Sequence, residues 1–173
     1  EGWRLACLAQ ASAPVTLEVE QWSPHILTDD SRLDAESRTG FGVVIDLGTT
    51  TLVAELVDLH SGEVLGVRTA LNPQGRHGAD LMSRIEFDLR QPGQLTDLIR
   101  RALGEMVAAL AAGSPLAEVL LCGNTAMHHL FCGASVEPLS HVPFQSPALG
   151  ERTFSTMSAP KAPAASVISA PAA

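Results

Sequence analysis

The sequence predicts an α/β domain in which an antiparallel meander of three strands leads into helices and a fourth strand. Three observations carry this expectation. Residues 41–47 form an apolar run closing on Asp46 and Gly48, as a buried strand does at its end. Residues 50–59 and 63–71 supply two more strand-like runs, joined by the tight turn Asp58-Leu59-His60-Ser61-Gly62. Finally, Leu95, Leu98, Ile99, Ala102, Leu103, Met106, Val107 and Leu110 recur at helical spacing and mark a core-facing stripe.

Along the chain, residues 1–22 hold Cys7 and a strand-like alternation from Val15 to Glu20. Residues 23–40 are polar and acidic, as expected of a linker. The organised region is 41–150. After the meander, Asn72-Pro73-Gln74-Gly75 breaks the pattern, and residues 79–89 suit a short helix with Leu81, Met82, Ile85 and Leu89 on one face. The long helix begins after Pro92-Gly93 and stops at Gly113 and Pro115. Val119-Leu120-Leu121-Cys122 reads as the fourth strand, and Gly123-Asn124-Thr125 opens another helix ending near Gly133. From 151 to 173 the chain turns to Ala, Ser and Pro without periodicity, which predicts a disordered tail.

Composition narrows the function classes. The formal net charge is −8, which argues against nucleic acid and against an anionic membrane as partner. Lys161 is the only lysine, so no glycine loop can be a P-loop. There is no run of eighteen apolar residues. The three cysteines, Cys7, Cys122 and Cys132, are odd in number and widely spaced, which suits a reducing cytoplasm better than a disulfide framework.

The chemistry concentrates at Asp46-Leu47-Gly48-Thr49-Thr50-Thr51. A hairpin tip rich in backbone N–H and hydroxyl groups is a ready anion nest, and Gly48 allows close approach or positive φ. Thr49, Thr50 and Thr51 add hydroxyl donors, and Asp46 is placed to hold Mg²⁺ against a polyphosphate. The plainer reading is a hairpin whose Asp and Thr side chains satisfy their own turn. Asn124 likewise reads as a helix N-cap, as a group facing a nucleotide, or as both.

The order strand, glycine-threonine turn, strand, turn, strand, helix, strand, helix resembles the ribonuclease-H-like half of the actin, sugar-kinase and heat-shock ATPase superfamily. By that resemblance residues 46–51 are its first phosphate motif, and Asn124 or Thr125 faces the nucleotide or its attacking water. The resemblance narrows with Gly42-Val43-Val44-Ile45-Asp46-Leu47-Gly48-Thr49-Thr50-Thr51, Ala70-Leu71-Asn72-Pro73-Gln74, Gly78-Ala79-Asp80, Ser83-Arg84-Ile85, Gly123-Asn124-Thr125-Ala126-Met127-His128-His129 and Pro143-Phe144. Together these look like the reductive activators of corrinoid proteins. The opening Gly2-Trp3-Arg4-Leu5-Ala6-Cys7 is similar to the end of that family's ferredoxin-like β-grasp domain.

The resemblance implies ATP hydrolysis coupled to electron transfer from a [2Fe–2S] cluster to cobalt(II) of a corrinoid protein. Cys7 would then be one cluster ligand. Asp46 would serve catalysis and Mg²⁺, with Gly48, Thr49, Thr50, Thr51 and Thr125 holding ATP. A homodimer is compatible with the sequence. A cluster takes four ligands, and the second phosphate motif and adenosine site expected of the family are missing beyond residue 150. The chain therefore looks like a fragment, expected on its own neither to assemble a cluster nor to hydrolyse ATP appreciably. Rival readings are an ATP-binding regulatory or scaffold module without redox work, and a small-molecule kinase.

Two further groupings have simple explanations. His128, His129 and Cys132 have spacing compatible with zinc, but also with a packed helix. Asp80 and Arg84 are spaced as a surface i,i+4 pair, with Glu86, Asp88 and Arg90 on a solvated face.

Overall fold

The computed structural model describes residues 38–146, 150–155 and 164–169. Cys7, the strand expected at 15–20 and nearly all of the expected linker lie outside the described residues. The meander forms as expected. Strand β1 (Phe41–Leu47), β2 (Thr51–Asp58) and β3 (Val64–Leu71) pair antiparallel in sequence order. The β2–β3 turn is held by the Asp58 carboxylate, which accepts the His60 N–H at 2.8 Å.

Helix α1 spans Leu81–Arg90 and α2 spans Gln94–Ala111. Strand β4 (Leu116–Gly123) then lies parallel to β1, and α3 (Thr125–Cys132) follows it directly. Two more strands complete the sheet: β5 (Arg152–Ser155) and β6 (Ala164–Ser169), in the order β3-β2-β1-β4-β6-β5. The expectation of a disordered 151–173 tail is thus corrected for these two stretches. The free edge of β4 supplies hydrogen-bond partners in register from Glu118↔Ala164 to Gly123↔Ser169, and pairing of that kind does not depend on local apolar periodicity.

Alternation along the strands sets which face is covered. Val43, Ile45 and Leu47 of β1, Leu52 and Ala54 of β2, and Val119 and Leu121 of β4 form one buried cluster with Leu95, Ile99, Leu103 and Met106 of α2 and Met127 and Leu130 of α3. Each fully buried Leu or Ile there contributes about 1.5–3 kcal/mol. The stripe read from the sequence of α2 is its buried face, and the Thr96 hydroxyl joins it by donating to the Leu130 carbonyl at 2.6 Å. On the opposite face of the sheet stand Asp46 and Cys122, neighbours across the β1–β4 ladder and both exposed.

Helix α1 departs from its expected face. Ile85 is buried, but Met82 and Leu89 are 50% and 44% exposed, while Arg84 is turned inward. Asp80 does not pair with Arg84; it caps α1 in a reciprocal capping box with Ser83. Glu86 and Arg90 do form an exposed i,i+4 ion pair at 3.3 Å.

Asp88 has one carboxylate oxygen buried without a partner among the described residues. Burial raises its pKa above the ordinary carboxylate value, partly offset by the Gly93 N–H. A carboxyl whose folded pKa is raised stabilises the fold at low pH and loses that contribution as pH rises through the folded value. We expect Asp88→Asn to raise Tm by about 2–4 °C at pH 7. The gain should close as pH falls towards 4, which thermal melts across that range would test. A gain that instead grows on acidification contradicts the assignment.

Candidate phosphate-binding site

Strands β1 and β4 run parallel, and their register ends at Leu47↔Gly123. The turn after β1 and the start of α3 therefore lie side by side, at the carboxyl ends of adjacent parallel strands, where ligands of open α/β sheets bind. Gly123 permits this proximity, since a Cβ there would stand 2.9 Å from the Leu47 carbonyl oxygen. The Asn124 side chain joins the two parts. Its Oδ1 accepts the Met127 N–H at 3.0 Å as the α3 N-cap, and its Nδ2 donates to Thr49 Oγ1 at 3.1 Å. The cap reading of Asn124 holds, and its amide also reaches the turn. Thr125, the first residue of α3, is half-buried beside it.

Gly48 is required for a reason other than positive φ. Its backbone is absent from the left-handed residues of the chain, but a Cβ there would lie 2.3 Å from the Thr51 carbonyl oxygen. The tip folds back on itself too closely for any side chain. That corrects one of the two reasons the sequence suggests for the glycine.

Asn72 governs the direction in which the turn faces. Its Nδ2 donates to the Gly48 carbonyl at 2.8 Å, and its backbone N–H donates to the Thr50 carbonyl at 2.8 Å. Its Oδ1 accepts the Gln74 N–H at 3.0 Å. With the Gly48 carbonyl tied back to Asn72, the Thr49 N–H in the same trans peptide plane points the opposite way. No acceptor for the Thr49 or Thr50 N–H is found among the described residues. Thr50 and Asp46 are exposed, and Gly48, Thr49 and Thr51 are half-buried.

The sequence reading of the turn did not include the support beneath it. Asn72, Gln74 and Arg84 are all buried polar residues. The signal was present in Asn72-Pro73, since an Asn before Pro is a natural cap of a short 3₁₀ turn, here residues Pro73–Arg76. Apolar periodicity says nothing about such residues.

The His/Cys grouping resolves into packing. His129 is held between the Ser135 carbonyl and the Ser146 hydroxyl, each at 2.7 Å. His128 is fully buried, with Nε2 3.6 Å from the Cys132 sulfur. Burial lowers its pKa, with smaller contributions from His129 and Arg152. Cys122 lies on the other face of the sheet, and no cluster of three or more metal-ligating side chains occurs among the described residues. Burial pushes the Cys132 thiol up, and at the exposed Cys122 partial desolvation and the Asp46 charge act in the same direction. Among the described residues no helix is long and apolar enough to cross a membrane.

The residues present suit a bound polyphosphate: an outward Thr49 amide, threonine hydroxyls at the tip, a helix N-terminus and an exposed carboxylate. The fold defines the class, a mixed α/β domain. A family model described as the RACo middle region matches residues 41–173, and the chain belongs to that family. The match extends through the strands of the C-terminal stretch, so the segment from Glu151 is part of the family region rather than foreign to it.

Among relatives, the chain is 27% identical over 134 residues to the corrinoid activation enzyme RamQ of Eubacterium limosum, covering 69% of this chain and 23% of that protein. A solved structure titled as a reductive activator for corrinoid, iron–sulfur protein matches with a TM-score of 0.60 and 34% identity. That match covers 67% of this chain and 20% of the other. The chain thus spans between a fifth and a quarter of the length of these two relatives.

Proposed function

We propose that this chain is the phosphate-gripping first lobe of a ribonuclease-H-like, actin-type ATPase domain. In the full-length protein, that domain couples ATP to the reductive activation of a corrinoid protein. The observation that carries the reading is the tied-back turn. Asn72 holds the Gly48 and Thr50 carbonyls, so the Thr49 amide faces away from them, beside the threonine hydroxyls, to meet phosphate oxygens. Gly48, Thr49, Thr50 and Thr51 would hold the phosphates, with the α3 N-terminus at Thr125 adding its dipole. Asp46 would hold Mg²⁺, which supplies charge neutralisation and an electrophilic contact to the phosphate oxygens. Asn124 would orient Thr49 and the group facing it.

Electron transfer lies beyond this lobe. Cys7 is a candidate cluster ligand outside the described residues. Cys122 and Cys132 are no substitutes, since one stands on the open sheet face and the other on α3. A [2Fe–2S] cluster would require further thiolates in the full-length protein. Family membership favours the activator reading over a scaffold module or a small-molecule kinase.

Amide chemical-shift mapping of the chain titrated with MgATP and with pyrophosphate tests the first step. The expected result is a set of saturable shifts centred on residues 48–51 and 124–125. Asp46→Asn should weaken MgATP about tenfold without lowering Tm, since the side chain is exposed. A flat titration with both ligands would refute the phosphate reading.

A further inference from the structure

We propose that Arg84 is a positioning residue, the buried counter-charge beneath the phosphate turn. The inference rests on the phosphate reading and adds a residue that no motif assigns to it.

Arg84 is only 1% exposed, yet no carboxylate pairs with it among the described residues. Its Nε donates to the Gly78 carbonyl at 2.9 Å. One terminal nitrogen, NH1, reaches Gln74 Oε1 at 3.4 Å and Met127 Sδ at 3.6 Å. All three partners are neutral. Asp80 is the acid whose charge reaches it, but that side chain is exposed and committed to the Ser83 N–H at 2.8 Å. A guanidinium stays protonated in proteins, so this site keeps a positive charge in a poorly solvated place.

Such a site is costly unless something offsets it, and the contacts lead to the turn. Met127 Sδ also lies 4.0 Å from Asn72 Nδ2, the same nitrogen that donates to the Gly48 carbonyl. Gln74 is fully buried, accepts from Arg84, donates through Nε2 to the Leu95 carbonyl at 3.0 Å, and through its N–H to Asn72 Oδ1. Arg84 therefore braces both the side chain that aims the turn and the 3₁₀ segment carrying it. Gly78 packs tightly on α1: a Cβ there would stand 2.7 Å from the Arg84 backbone nitrogen. A charge fixed behind the turn, in a low-dielectric interior, raises the potential that a polyphosphate meets in front of it.

The two roles, bracing and charge, separate by ligand charge. Titrations of pyrophosphate, ATP and AMP into the unsubstituted chain, Arg84→Lys and Arg84→Met provide the test, each followed by amide shifts below its melting temperature. Arg84→Met should weaken pyrophosphate and ATP by at least about tenfold, and AMP by a smaller factor. Arg84→Lys, which keeps the charge but not the planar fork, should weaken pyrophosphate and ATP less than Arg84→Met does. Equal weakening of AMP and ATP, or unchanged pyrophosphate affinity in Arg84→Met, overturns the inference and leaves the phosphate reading standing. Should Arg84→Met not fold, Arg84→Lys decides alone: a folded lysine variant that has lost pyrophosphate binding overturns it. Failure of the unsubstituted chain to bind pyrophosphate or ATP defeats both.

Discussion

Gly48→Ala should abolish the phosphate-turn shifts with pyrophosphate and lower Tm by about 6–12 °C. The cause is space rather than handedness. The added methyl carbon would sit 2.3 Å from the Thr51 carbonyl oxygen, a backbone atom at the foot of β2. A side chain in the way could rotate; this oxygen can move only if the first rungs of the β1–β2 ladder, Leu47↔Leu52 and Asp46↔Val53, move with it. Those rungs carry Leu47 and Leu52, both fully buried, so the strain passes into the core. Overpacking of this kind costs typically about 1–3 kcal/mol, and a backbone obstacle belongs at the upper end. Scanning fluorimetry and an amide spectrum suffice as readouts. An alanine variant with an unchanged melt would mean that the tip has slack that the contacts do not indicate.

The second large effect is expected at Asn72. Asn72→Leu removes the donor to the half-buried Gly48 carbonyl and the acceptor of the buried Gln74 N–H, and leaves both without replacements. An orphaned buried polar group costs about 1–3 kcal/mol, and a lost cap adds about 1 kcal/mol. Tm should fall by about 6–12 °C, and phosphate binding should weaken even in samples that remain folded. Asn72→Asp separates the two contributions. It keeps the acceptor for Gln74 but replaces the donor with a negative oxygen facing the Gly48 carbonyl. Its melt should therefore drop less than that of the leucine variant, while its pyrophosphate binding drops more. A variant that binds pyrophosphate normally would show that the turn aims itself.

These two positions also mark the limits of what could be read from the chain. The glycine-threonine turn was legible because a strand ending in Asp before Gly and three hydroxyl residues is a local pattern. The meander was legible because its strands pair with their sequence neighbours through short turns, and α2 because its stripe is regular over its whole length. The same habit of counting apolar residues misjudged α1. Leu81, Met82, Ile85 and Leu89 outlined a face, whereas the helix buries Arg84 beside Ile85 and leaves Met82 and Leu89 in contact with water. It also set Asp80 and Arg84 as partners by spacing alone, although Asp80 had a better local use as a cap. In the stretch after residue 150 the scarcity of large apolar residues concealed two strands, since β6 pairs with the edge of β4, formed far earlier in the chain, and β5 pairs with β6.

What the sequence by itself determined is the strands and helices between residues 41 and 133, the turn at residues 46–51 and the family to which its motifs point. Tertiary structure alone decided that β4 lies parallel against β1, bringing Asn124 to Thr49, and that Asn72 and Arg84 turn inward beneath the tip. The physical reason is range. Propensity and periodicity act over one or two turns of chain, whereas the partner of a polar side chain or of a strand edge is chosen by whatever the fold brings within hydrogen-bonding distance.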